Sequence, residues 1–318
     1  MRKLFGIILL MAASIPAVWA EQVPPPVDPN IRYYFDIPKG GLTAFLARPA
    51  VPIPMVSYHR GGPAPGYPEN AVETMDHALA YGYGIMEVDV AQLKDGTLVL
   101  MHDDTLSRTT TGEGAIKQKT WPEIQKLFLK DGAGTVTKFR IPKLEQALKW
   151  AVRRTILSLD IKRGTDFAKV AEMVKKTGAT DNAIAIAYSI DQAKSFHRLA
   201  PSMPMSVGLQ SETDIQEFDQ SGIPDELVIA WTGTRLVEPS HYNKLHNRGW
   251  RVMLGTLGRS ERALDNQIRD GKVPFDYLDL VKMGVDVVAT DRFWAVHQAL
   301  NNPNLVIFKK QNLAIASE

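Results

Sequence analysis

Four short stretches of this 318-residue chain carry side chains that can do chemistry on an anion. His59-Arg60 ends the apolar run Met55 to Tyr58, and Glu87 and Asp89 sit two residues apart inside the run from Ile85 to Val90. His102-Asp103 follows Thr97 to Met101, and Asp160-Ile161-Lys162 closes the run that starts at Thr155. Residues two apart on a strand face the same way, so Glu87 pairs with Asp89 and Asp160 with Lys162. Three carboxylates are hard oxygen ligands, suited to Ca²⁺ or Mg²⁺ rather than Zn²⁺. Arg60 can hold a phosphate oxygen with its planar fork, and Lys162 adds a second positive charge. His59 and His102 can act as base and acid near neutral pH. A hard cation, an anion grip and a base–acid pair together describe phosphodiester cleavage. Each residue alone has a plainer use, since a strand-end Asp usually caps a turn or a helix. Their joint placement carries the reading.

The elements that must hold these residues follow a simple alternation. Asp95-Gly96 reads as a two-residue hairpin turn, which sets Lys94 opposite Thr97 and Asp89 opposite His102. Ala71 to Tyr81 reads as a helix with Asn70 as its N-cap. Further strands are expected at Thr155–Ile161, Ala183–Ala187, Met205–Leu209, Leu227–Trp231, Trp250–Gly255 and Val285–Ala289, with helical segments between them. Alternating strands and helices are the signature of a parallel sheet. The link from Val90 to Thr97 is too short for a parallel crossover, so the His102 segment is an antiparallel return. Eight parallel strands remain, which favours an α/β fold of the (β/α)8 TIM-barrel type. An open doubly wound sheet is the alternative, but the chain has no glycine-rich dinucleotide or phosphate-loop fingerprint. In a barrel, all four chemical stretches fall at strand C-termini, where such folds keep their active sites.

The ends of the chain read differently. Arg2 and Lys3 precede an apolar run from Leu4 to Ala13, and Val18 and Ala20 suit a cleavage site, so residues 1–20 are expected to be a cleavable signal peptide. That implies a secreted or periplasmic protein with no stable membrane insertion after cleavage. The absence of Cys excludes disulfides, so a large core must hold the exported protein together. A formal charge of +2, near zero after cleavage, argues against a nucleic-acid partner. Residues 21–50 begin proline-rich and are expected to be an N-terminal arm or linker on the domain surface, 51–302 the catalytic barrel, and 303–318 a C-terminal tail.

Taken in order, His59-Arg60-Gly61, Pro68-Glu69-Asn70, Glu87-Val88-Asp89-Val90 and His102-Asp103-x-x-Leu106-x-Arg108-Thr109-Thr110-x-Gly112-x-Gly114 resemble the glycerophosphodiester phosphodiesterases. Gly284 to Asp291 looks like the last strand of that family. The resemblance implies a phospholipase C-like phosphodiesterase barrel that releases an alcohol and sn-glycerol 3-phosphate from a small glycerophosphodiester. It implies His59 and His102 as general base and acid, and one divalent cation on Glu87, Asp89 and Asp160. Arg60 and Lys162 would hold the phosphate. Glu69 either orients Arg60 or touches the metal. The chain departs from the family pattern at Asp160, where Glu is usual, and at Tyr188-Ser189 and Leu254-Gly255-Thr256, which line the alcohol or glycerol side of the pocket. Two other readings stay open: a phospholipase-type enzyme for intact lipids or phosphoinositides, and a non-catalytic periplasmic binder of a phosphorylated polyol.

Overall fold

The computed structural model describes residues 23–300 and the backbone of 313–317. The expected signal peptide, residues 1–20, and most of the expected tail lie outside the described residues. Among the described residues, no helix is long and apolar enough to cross a membrane.

Eight parallel strands form the centre: Met55–Tyr58 (β1), Gly84–Gln92 (β2), Ile156–Ile161 (β3), Ala183–Ala187 (β4), Met205–Gly208 (β5), Val228–Trp231 (β6), Arg251–Gly255 (β7) and Val287–Thr290 (β8). Each pairs with the next, and β8 pairs with β1 through Val287–Met55 and Thr290–Tyr58, closing the barrel and excluding the open sheet. The expected strands are all present, within two residues at their ends. Alternate residues point inward, and the registers stack them in levels. Ile85, Ile184, Ile229 and Val287 make one level, all buried and in one apolar cluster. Ser57, Ser158, Ser206 and Met253 make the level above it. Higher still come Glu87 with Ile186, Trp231 and Ala289, then His59 and Asp160 with two glycines, Gly208 and Gly255.

The outward-facing residues, such as Met86, Val88 and Val90 on β2, pack against the ring of helices. Those helices show why the alternation was legible. Phe167–Lys176 buries Phe167, Val170 and Val174 at helical spacing, and Asp166 accepts a hydrogen bond from the amide of Ala168 as its N-cap. The helix after β1 is shorter than expected, Val72–Ala78, and its N-cap is Ala71 rather than Asn70. Asn70 takes a left-handed backbone (φ 59°) and spends its side chain elsewhere.

Part of the arm, expected on the domain surface, is built into the barrel floor. Ile31–Phe35 pairs antiparallel with Leu313–Ser317, and Leu42–Leu46 forms a short helix. Phe35, Leu42 and Leu46 are buried against Met55, Ile85 and Ile156 beneath the lowest levels. Arg251 fixes this segment by donating to the carbonyls of Leu46 and Ile53 at 3.1 and 3.0 Å.

The hairpin after β2 is present, but its register is one residue off the expectation. Leu98–Leu100 runs antiparallel to β2 with Val90 opposite Leu100, and Asp89 meets Met101 rather than His102. The turn explains the slip. Leu93 N donates to Thr97 O, while Gly96 N donates to Leu93 O, so Lys94, Asp95 and Gly96 form a three-residue loop. Gly96 supplies the left-handed position (φ +86°) that ends such a loop. Asp95 is committed to this geometry by accepting from Thr97 N at 3.0 Å and Trp121 N at 2.8 Å. Residues 102–143 then leave the barrel and build a small core of their own on Val99, Met101, Leu106, Ile116, Ile124 and Leu129, with a hairpin of Phe128–Lys130 and Val136–Arg140.

Candidate active site

At the C-terminal mouth of the barrel, a pocket of about 280 Å³ is lined by His59, Glu87, Asp89, His102, Asp160 and Lys162, with Tyr188, Trp231 and Leu257 on its wall. The serine level lies at its lower end, where Ser57, Ser158 and Ser206 leave space that branched side chains would fill. A larger cleft of about 630 Å³ lies outside the barrel beside Tyr67, Asp76 and Trp150. It lacks an acid cluster with an acid–base pair, so the smaller pocket is where chemistry is possible.

Glu87, Asp89 and Asp160 offer carboxylate oxygens that all lie within 4.8 Å of one another. Adjacent strands make this cluster directly, because the register pairs Asp89 with Asp160 across β2 and β3. Lys162 Nζ lies 2.6 Å from Asp89 Oδ1 and 2.7 Å from Asp160 Oδ2. Asn70 holds Asp89 twice, its Nδ2 donating to Oδ2 at 2.7 Å and its Oδ1 accepting the Asp89 amide at 2.9 Å. Burial pushes the Asp89 carboxyl up, but Lys162 and Asn70 more than offset it and hold it below the ordinary value. Glu87 goes the other way: burial and the charge of Asp89 raise it, against the pull of His59 and of the Arg60 amide, which donates to Glu87 Oε2 at 2.7 Å. One lysine thus faces three crowded acids. A hard divalent cation fits this all-oxygen donor set and would offset both the burial and the repulsion that raise Glu87.

Each imidazole is held by its own carboxylate. His59 Nδ1 lies 2.6 Å from Asp291 Oδ1, and His102 Nδ1 lies 2.7 Å from Asp103 Oδ1. An ionised carboxylate only accepts, so Nδ1 carries the proton in both rings and Nε2 is left to exchange one. Burial pushes His59 down, but the Asp291 hydrogen bond and the charges of Glu87 and Asp291 outweigh it, leaving the ring above its ordinary value. Asp291 is fixed in turn, accepting from Gly258 N and donating its own amide to the buried Asp265, each at 2.8 Å. His102 reaches the pocket from beyond the end of its strand, so the ladder does not place it.

Arg60 is not among the residues lining the pocket. It has a left-handed backbone (φ 53°), followed by Gly61 (φ +79°), where a Cβ would come within 2.7 Å of Met75. Its guanidinium turns to Glu69, with Nη1 3.0 Å from both carboxylate oxygens. Among the described residues its buried Nε has no hydrogen-bond partner, and it lies 3.9 Å from Asp89 Oδ2. Glu69 also accepts two hydrogen bonds from Arg108 and stands outside the carboxylate cluster. Of its two expected contacts, the structure therefore shows the one with Arg60. The structure brings His59, His102, Glu87, Asp89, Asp160 and Lys162 together, as the strand ends imply.

Residue types give Asn70 only a capping role and assign no chemistry to Asp291 or Arg108. Asn70 resembled a helix cap and Asp291 an ordinary strand-end acid. For Asp291, a signal was present: Thr290-Asp291 ends the last strand just as His59-Arg60 ends the first, and β8 neighbours β1.

The sequence profile of the glycerophosphoryl diester phosphodiesterase family matches residues 59–294. A glycerophosphodiester phosphodiesterase of Caldanaerobacter subterraneus is 30% identical over 246 residues, covering 74% of this chain and 93% of that protein. The crystal structure of a glycerophosphoryl diester phosphodiesterase from Parabacteroides distasonis superposes with a TM-score of 0.80 at 28% identity, covering 89% of this chain and 99% of that one. At 20% identity and a TM-score of 0.61, covering 82% of this chain and 99% of the other, a phosphodiesterase from Oleispira antarctica shares the fold. With the profile matching 59–294, from the end of β1 to just past β8, this chain belongs to the glycerophosphoryl diester phosphodiesterase family.

Proposed function

We propose that this enzyme hydrolyses glycerophosphodiesters to an alcohol and sn-glycerol 3-phosphate. The observation that carries the reading is the pocket itself, where two carboxylate-anchored imidazoles, three acids and a lysine meet around a volume of about 280 Å³. The Oleispira relative, whose structure holds sn-glycerol 3-phosphate as product, supports that choice of substrate. Glu87, Asp89 and Asp160 would hold one divalent cation, Ca²⁺ or Mg²⁺. Such a cation supplies positive charge for a phosphate oxygen and lowers the pKa of a nearby hydroxyl. Lys162 adds charge beside it, and Arg60 is the anion grip through its unpartnered Nε edge while Nη1 stays on Glu69.

His59 acts as base and His102 as acid. Each works through Nε2, because Asp291 and Asp103 occupy the Nδ1 protons. His59 Nε2 takes a proton from the attacking oxygen, either water or the substrate's own hydroxyl (whose cyclic phosphate water then opens), while the bond from phosphorus to the alcohol oxygen breaks and His102 Nε2 protonates that oxygen. We further propose export, with cleavage after Ala20, from the charged, apolar and small-residue pattern of residues 1–20.

The test is a panel of glycerophosphodiesters carrying choline, ethanolamine, glycerol or inositol, assayed with Ca²⁺ and with Mg²⁺. Release of sn-glycerol 3-phosphate from at least one member is the expected result. No turnover of any of them, with cleavage of intact phospholipid vesicles instead, would replace this reading with the lipid one.

A further inference from the structure

The acid–base imidazole and the anion-binding guanidinium are joined by an unbroken chain of charged hydrogen bonds, whose middle links through Arg108 the catalytic reading does not use. His102 Nδ1 is 2.7 Å from Asp103 Oδ1. Arg108 then clasps Asp103 with two donors, Nε to Oδ2 at 2.5 Å and Nη2 to Oδ1 at 2.8 Å. The other edge of the same guanidinium clasps Glu69, Nη1 to Oε2 and Nη2 to Oε1, both at 2.8 Å. Glu69 in turn accepts Arg60 Nη1 on both oxygens. Glu69 is nearly buried and Arg108 one-third exposed, so the links are partly screened from water.

The geometry points to Arg108 as a positioning residue. We propose that its two-sided fork fixes the Asp103 carboxylate against His102 and the Glu69 carboxylate against Arg60, so that the proton donor and the anion grip are held as one unit. This rests on the roles proposed above for His102 and Arg60.

The need for such a device follows from the fold. His102 lies past the end of its strand, with no ladder to place it, on an excursion whose core packs on the outside of the barrel. Arg60 sits on a left-handed residue in a tight turn after β1. Nothing in the sheet registers one against the other, and a misplacement of about 1 Å can cost on the order of 10²-fold in rate. Only a planar guanidinium with donors on two edges can grip two carboxylates in this way. Lysine keeps the charge and loses the forks.

Arg108→Lys therefore tests it, in a double-mutant cycle with His102→Ala, on two substrates. One carries an alkyl alcohol such as choline, and the other carries p-nitrophenol, which leaves without a proton. On the alkyl ester, Arg108→Lys is expected to lower kcat by roughly 10- to 100-fold. That loss should shrink to a few-fold on the p-nitrophenyl ester. Combined with His102→Ala, it should add only the share carried through Arg60, and that share should in turn add little to Arg60→Ala. Full additivity with His102→Ala, or equal losses on both esters, would overturn the proposal. If Arg108→Lys does not fold, Asp103→Asn cuts the same chain at its neighbour and is read by the same cycle and the same criteria. Failure of the parent reading looks different: His102→Ala itself would keep nearly full turnover of the alkyl ester.

Discussion

At the lower end of the barrel, Ile85, Ile184, Ile229 and Val287 close the interior, and Phe35, Leu42 and Leu46 pack beneath them. Higher in the same barrel, the interior holds Glu87 and then His59 and Asp160, over a level of three serines. Along the strands the backbone geometry is the same, so the difference there is one of side chains. Branched apolar residues in the lower levels each contribute about 1.5–3 kcal/mol by burial. Small hydroxyls and glycines in the upper ones forgo that packing and leave room for a substrate. Stability and chemistry are thereby separated along the barrel axis, and substitutions at the two ends should have separable effects.

The largest expected effect lies at the mouth. His102→Ala should lower kcat by at least about 10²-fold, the usual contribution of a general acid, while the unfolding midpoint in urea moves little. A variant with near wild-type turnover would remove His102 from the chemistry. The floor should behave in the opposite way. Ile229→Ala leaves a cavity among fully buried neighbours and should cost about 2–5 kcal/mol in urea unfolding, with kcat within a few-fold of wild type. A comparable fall in kcat would mean that floor packing transmits to the pocket and that the two ends are not independent.

A third prediction sharpens the contrast through pH. His297 is half-buried on the outer wall, with Nε2 2.6 Å from the Tyr58 hydroxyl, and desolvation by its packed neighbours pushes its pKa down to about 4. The unfolded chain binds this proton near pH 6.5, so the native state gains stability from a neutral ring. That contribution is complete above about pH 6.5 and is lost as pH falls toward 4, up to about 3 kcal/mol. Urea unfolding from pH 7 to pH 4 should show the loss, and His297→Gln should flatten part of it. An unchanged slope in that variant would assign the acid sensitivity to other groups.

Much of this molecule is legible in its residues because period and chemistry agree. Strands alternating with helices announce the barrel, and the pairs Glu87/Asp89 and Asp160/Lys162 must share a face whatever the details of the turns. What escaped was set by backbone conformations that residue types do not announce. Asp95-Gly96 serves a two-residue or a three-residue loop equally well, and only the Leu93–Thr97 closure decides between them. Asn70 looked like a cap because capping is its common use, yet a left-handed backbone turns it toward Asp89. The arm reads as a surface segment because its prolines come first, while Phe35, Leu42 and Leu46, which anchor it, form no long periodic run. Asp291 meets His59 across 232 residues and Arg108 meets Glu69 across 39, distances over which spacing carries no information.

The most direct test of the account concerns the acid cluster. Protein stripped with a chelator would be titrated calorimetrically with Ca²⁺ and with Mg²⁺ while glycerophosphodiester turnover is followed in parallel. The account predicts one binding event per chain, turnover that returns with the same midpoint, and loss of both in Glu87→Gln and Asp89→Asn. Full turnover in the presence of chelator, or binding left intact in both variants, would contradict it.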